Sequence, residues 1–269
     1  MIAALANWPA NVSLPVIGAV IFALTFAAGF GGYWLKRAFA GGIGQHQANL
    51  EGILLSAILG LLALLLGFTY SLAINRFEIR RELVLQEANA IGTTYLRVQL
   101  LGEPHRSRIS SLLKDYTANR IALAKTGARP GMLARNDRLI TDLWTAEAAA
   151  FDSIKALPFA NASLETMNNL IDLDSARKAA RRAHIPSRVF ALLALYMIVT
   201  GGAMGYVLSG VRARLAATTL LVMFTLALLL VIDIDRPTEG IRESQGPMEA
   251  TLATMSAQPP GTFDRYRSP

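Results

Sequence analysis

Four separate stretches of this chain are long and apolar enough to cross a bilayer, and that fact limits its possible folds more than any other. A hydrocarbon core of about 30 Å takes about 20 predominantly apolar residues in a helix. Residues 14–35 carry no charge before Lys36 and Arg37; residues 52–75, 189–209 and 215–234 are uncharged apart from Asp233. The first block has no basic segment before it and no small-residue cleavage site after it, so it reads as a retained helix rather than a signal peptide. The expected class is therefore an all-α membrane protein, with four transmembrane helices and an extramembrane helical insert between spans two and three. The boundaries read 1–75, 76–188, 189–234 and a polar tail, 235–269. Composition agrees: the chain is 53% hydrophobic and only 17% charged. Small residues four apart, Ala28 with Gly32 and Gly201 with Gly205, suit close packing of membrane helices.

The insert reads as helices throughout. Apolar positions 77, 84, 88, 91 and 95 share one face, so span two is expected to continue out of the membrane as one long helix. Gly102 and Pro104 break it. Ile109, Leu112, Leu113, Tyr116 and Leu123 mark a second helix ended by Gly127, Pro130 and Gly131. Leu139, Ile140, Leu143, Trp144, Phe151 and Ile154 mark a third, closed by Pro158. A fourth starts near Asn161 or Ser163, buries Leu164, Met167, Leu170 and Ile171, and runs through a basic cluster to Pro186. The tail, with Pro237, Pro247, Pro259 and Pro260 among its residues, reads as disordered or peripherally wrapped.

The net charge of +7 resides almost wholly in residues 76–188, which hold eighteen basic and twelve acidic side chains. Beside a bilayer this implies anionic lipid headgroups as partners, and no nucleic-acid module is present. The absence of cysteine removes disulfides and thiolate metal sites. His46, His105 and His184 are too dispersed for a zinc pair, and no nucleotide-binding or hydrolase motif occurs. No enzyme, metal or cofactor is expected. Asp172 and Asp174 point in different directions on a helix and read as solvated or helix-contact residues.

Span two has one distinctive face. At about 100° per residue, Ala57, Gly60, Leu64, Phe68, Ser71 and Asn75 fall in a narrow sector that Glu82 extends. Such a stripe is either an interhelical seam or the wall of an aqueous path. In the second case, copies around an axis would stack Leu64 and Phe68 as an apolar constriction able to gate by dewetting. Arg76, Arg80 and Arg81 would then ring the mouth and favour anions slightly, opposed by Glu78 and Glu82.

The run at 67–101, GFTYSLAINRFEIRRELVLQEANAIGTTYLRVQLL, resembles the bestrophin-like family of bacterial membrane proteins. Glu-Ala-Asn-Ala-Ile-Gly at 87–92, Tyr-Leu-Arg at 95–97, Asp-Ile-Asp-Arg-Pro at 233–237, the 169–172 region and Ile185-Pro186 fit the same family. Gly67-Phe68, followed by Arg76 and Arg81, is similar to true bestrophins. That likeness implies a pentameric ion channel whose neck maps to Gly60, Leu64 and Phe68, with Ser71 and Asn75 below. Gly60 departs from the family's large apolar residue, and Phe77-Glu78 replaces an aromatic pair.

Two functions stay open: an oligomeric channel for ions such as chloride, or a non-conducting, membrane-anchored module that binds a partner or signals. The resemblance implies a bacterial inner membrane. Four crossings put both termini and the insert on one side. Lys36, Arg37, Arg212 and Arg214 in the short loops argue that those loops face inward. The basic ends of the insert, and the resemblance, favour a cytoplasmic insert.

Overall fold

A computed structural model of the chain describes residues 12–39, 45–127, 129–236 and 240–266, the side chains of 45–48 and 265–266 excepted. Among these residues there are eight α-helices, one 3-10 turn and no strand. The helices are α1 (Leu14–Phe39), α2 (Gln45–Val98), α3 (His105–Thr126), α4 (Pro130–Ile154), α5 (Ala160–Arg182), α6 (Ser187–Val207), α7 (Val211–Asp235) and α8 (Gly246–Ala257). The turn is Thr262–Tyr266. Four helices are long and apolar enough to cross a membrane. Span two does run on without a break: α2 has 54 residues, about 80 Å at 1.5 Å per residue. Pro237 of the 233–237 motif, the residues before 12 and the side chain of His46 lie outside the described residues.

The chain divides into two compact units, one made of residues 1–76 and 184–241, the other of 77–183 and 242–269. In the first, α1 and α6 pack backbone to backbone. A Cβ added at Gly205 would collide with the carbonyl of Gly29, one at Gly201 with that of Thr25, and one at Gly32 with that of Gly202. Only glycine permits this approach, which is how small residues hold membrane helices together where lipid removes the hydrophobic drive. Leu55 of α2, Met204 of α6 and Leu221 of α7 form a buried cluster. Large apolar side chains are nonetheless exposed on every one of these helices, among them Phe30, Trp34, Leu195 and Leu226. Such a surface suits lipid rather than water. Buried threonines return their hydroxyls to their own helix: Thr69 donates to the Leu65 carbonyl at 2.7 Å and Thr225 to that of Leu221 at 2.7 Å. Neither hydroxyl is thereby left bare in the apolar layer. Two of the sequence motifs meet here, because both carboxylate oxygens of Asp235 accept the Ile185 amide at 3.1 Å.

The second unit is an orthodox water-type core. Val84, Ala88, Ile91 and Tyr95 of α2 pack with Ile109, Leu113 and Tyr116 of α3, Leu139, Leu143 and Ile154 of α4, and Met167 and Leu170 of α5. Three expectations need correction. Gly127, at φ 83°, caps α3, but Pro130 and Gly131 already belong to α4; proline suits a first turn because its missing N–H has no intrahelical partner there. Trp144, expected on the buried face of α4, is 42% exposed. The tail is not disordered between 246 and 257: α8 buries Met248 and Met255 in the core of this unit. The Tyr95 hydroxyl holds it, donating to the carbonyl of Gln258 at 2.6 Å.

Candidate functional site

The face of α2 in the first unit is set by where the chain supplies neighbours. Leu55, Leu62, Leu66, Thr69 and Ala73 are buried, at spacings of seven, four, three and four. Gly60, Leu64, Phe68, Ser71 and Asn75 are exposed. Positions 64, 68, 71 and 75 each follow a buried residue by two, a turn of about 200°, so they lie on the opposite side of the helix. Phe68 is 62% exposed and Leu64 53%; a Cβ on Gly60 would meet nothing within 4 Å. The interhelical seam within the chain is therefore the other face. No described element of the same chain covers the stripe.

The charged residues beyond this face are treated differently by the fold. Arg76 is half-buried and Glu82 is exposed, accepting a hydrogen bond from Gln86 at 2.9 Å. Arg81 is open and pairs along its own helix with Glu78 at 3.0 Å. Arg80, grouped above with the mouth, is only 3% exposed and forms an ion pair with Glu243. Its charge is spent inside the second unit because it shares the apolar face of Val84, one turn on.

That pair belongs to a buried polar network the sequence reading did not find. Glu87, fully buried, accepts from the Tyr116 hydroxyl, lies 3.0 Å from Arg120 and pairs closely with Arg177. Asp174, also buried, accepts from Asn136 at 2.9 Å and pairs with Arg120 at 3.3 Å and Lys178 at 2.6 Å. Gln245 of the tail accepts from Arg177 at 3.4 Å. Burial pushes the Glu87 carboxyl up, but Arg120 and Arg177 outweigh it and hold the carboxyl below its usual range. Burial, and then Glu87, push the Tyr116 phenol well above its usual value, so it stays a donor. Glu147 differs: its partner is Ser163, at 2.6 Å, and burial raises its pKa. The missed signal was a charge on an apolar face. Glu87 sits between Val84 and Ile91, and Asp174 and Arg177 follow Met167 and Leu170 at helical spacing.

A family model for the bestrophin-like domain matches residues 23–241. The chain belongs to the bestrophin-like family. Among solved structures, it is similar to a crystal structure of a bacterial bestrophin homologue from Klebsiella pneumoniae carrying a Trp-to-Ala substitution. The TM-score is 0.60 at 16% identity, covering 92% of this chain and 97% of the other. At that identity the match establishes a bestrophin fold for this all-helical membrane protein. No match was found among curated proteins.

Proposed function

We propose that this bestrophin-like protein is an oligomeric ion channel whose pore is walled by α2. The observation that carries the reading is the exposed face of Gly60, Leu64, Phe68, Ser71 and Asn75, set opposite the seam that α2 makes with its own chain. A symmetric ring of copies, a pentamer by family likeness, brings that face to a common axis. Phe68 and Leu64 then form an apolar neck, and Ser71 and Asn75 supply polar rings. The remaining apolar surface meets lipid. The membrane is the bacterial inner membrane, with the helical unit on the cytoplasmic side. The charge surplus that favoured anions such as chloride is lost once Arg80 is enclosed, since Arg76 and Arg81 are matched by Glu78 and Glu82, and the mouth selects only weakly between anions and cations.

The test is Phe68→Ala in the full chain, read by liposome flux and by oligomer size. Truncating a side chain this exposed costs little folding energy within the chain, so the ring should persist and flux should rise as the neck wets. Dissociation of the oligomer without gain of flux removes Phe68 from the pore. A wild-type monomer in solution, or no flux at all, favours a partner-binding module.

A further inference from the structure

Charge on the short-loop side of the membrane unit is lopsided. Lys36, Arg37, Arg212 and Arg214 stand there against Glu51, the one acidic residue between 36 and 51 or between 207 and 214. Glu51 is matched to Lys36 at 4.0 Å, which leaves Arg37 and Arg214 without an ion pair among the described residues. Both turn instead to one phenol. The Arg214 guanidinium lies over the Tyr33 ring, 4.4 Å from its centre, and both arginines interact with the Tyr33 hydroxyl. Tyr33, Trp34 and Tyr206 mark the level at which aromatic rings meet lipid headgroups.

A groove of about 190 Å³ runs inward from these arginines. One wall is α1 from Tyr33 back to Phe26, the other α7 from Arg214 on to Leu221, so each extends about 10 Å along its axis. Gly29, Gly201 and Gly205 line it as well. The close approach of α1 to α6 that glycine permits thus also leaves no side chain to fill the space. Thr218 keeps its hydroxyl on the Arg214 carbonyl, at 3.0 Å, and below Tyr33 and Arg214 the lining is otherwise apolar.

The two ends of the groove call for two different chemistries in one molecule. The slot has no polar partners to hold an ordered water and opens on a lipid-facing surface where Phe26 and Phe30 are at least half exposed. The mouth presents guanidiniums, whose planar donors match phosphate oxygens. Free phosphate would fill only the mouth, and a neutral chain only the slot. We propose that this groove binds one anionic phospholipid, its phosphate on Arg214 and Arg37 and a stretch of one acyl chain between Phe26 and Leu221. A zwitterionic headgroup brings an ammonium that both arginines repel, so net negative charge is selected. The site lies within the membrane unit and does not rest on the channel reading.

The full chain in mixed micelles is photolabelled with a phosphatidylglycerol bearing a diazirine on one acyl chain, and the labelled peptides are mapped. Label should concentrate on residues 26–33 and 217–221. Unlabelled phosphatidylglycerol should displace it at lower concentration than phosphatidylcholine of the same chains, and inorganic phosphate should not displace it. Arg214→Gln should need about tenfold more phosphatidylglycerol for the same displacement, the worth of one charge-assisted hydrogen bond. Its Tm in lipid-free detergent should match wild type, since Arg214 is exposed. The wild-type map holds even if the variant does not fold. Label spread evenly over the lipid-facing helices, Leu195 and Leu226 included, overturns the proposal. So does equal displacement by the two lipids, displacement by inorganic phosphate, or a groove filled by a helix of a second copy. Flux is not the readout, so failure of this site and failure of the channel reading are distinguishable.

Discussion

Glu87→Gln is the sharpest perturbation of the helical unit. The change keeps the shape of the side chain and one acceptor for Tyr116, but removes the carboxylate that pairs with Arg177 and one of two that pair with Arg120 among the described residues. At an effective dielectric constant of 20, a pair at 3 Å is worth about 5 kcal/mol before desolvation. Breaking a buried pair by deleting one partner costs about 3–5 kcal/mol net. Arg120 keeps Asp174, and Arg177 keeps the Gln245 amide oxygen, so ~4 kcal/mol is the expected loss. For a chain of this size that corresponds to a fall in Tm of roughly 8 to 16 °C. The pH dependence follows from the direction of the Glu87 shift. Its folded pKa lies below the ordinary 4.5, so its contribution is full above that value and is lost as pH falls through the folded pKa. Wild type should therefore show an acid limb that the variant lacks, and the two Tm curves should converge at low pH. Thermal unfolding of the full chain, with hydrogen exchange resolved by peptide, reads both effects. A fall smaller than about 3 °C, or lost protection outside α2, α3, α5 and the tail, refutes the reasoning.

Glu147→Gln should do the reverse. Its folded pKa is raised, so stability is present below the ordinary carboxylate value and lost as pH rises; the amide removes that loss, and Tm should climb at pH 8 while staying unchanged near pH 4. A lower Tm at pH 8 contradicts this. Gly205→Ala drives a methyl into the Gly29 carbonyl and should destabilise the membrane unit by about 1–3 kcal/mol or more; an unchanged melting curve in detergent would show that α1 and α6 separate freely. Reversal potentials in a chloride gradient should lie near zero and move toward the cation equilibrium potential in Arg81→Glu, with a variant that shows no such shift ruling out the charge argument.

What could be read directly were the features carried by local pattern. Uncharged runs located the four membrane helices, and the spacing of Val84, Ala88, Ile91 and Tyr95 carried α2 out of the bilayer. Ends depended on neighbours, which is why Pro130 was taken as a terminator when it opens α4. The tail misled because its prolines and polar residues outweigh Met248 and Met255, whose burial depends on a surface supplied by distant helices. Glu87 was noticed as part of a motif, not as a buried charge, because its compensation comes from Arg120 and Arg177, on other helices. The stripe on α2 was visible as a pattern. That its opposite face, Leu62 to Ala73, takes up the contacts within the chain required the fold.

The Glu243–Arg80 and Gln245–Arg177 contacts also have a consequence for biogenesis. Residues 77–183 emerge from the ribosome before α6 and α7, yet the carboxylate for Arg80 and the methionines of α8 are synthesised after both. At about 5–20 residues per second, the intervening segment takes roughly 3 to 12 s to make. During that interval the helical unit lacks the Glu243 carboxylate at Arg80 and has an open apolar face where α8 will dock, which is a binding surface for chaperones and proteases. Closure by the tail thus reports that the last membrane helix has been translated. A chain stopped after α7 should be recognised as unfinished and degraded even though its four apolar helices are intact.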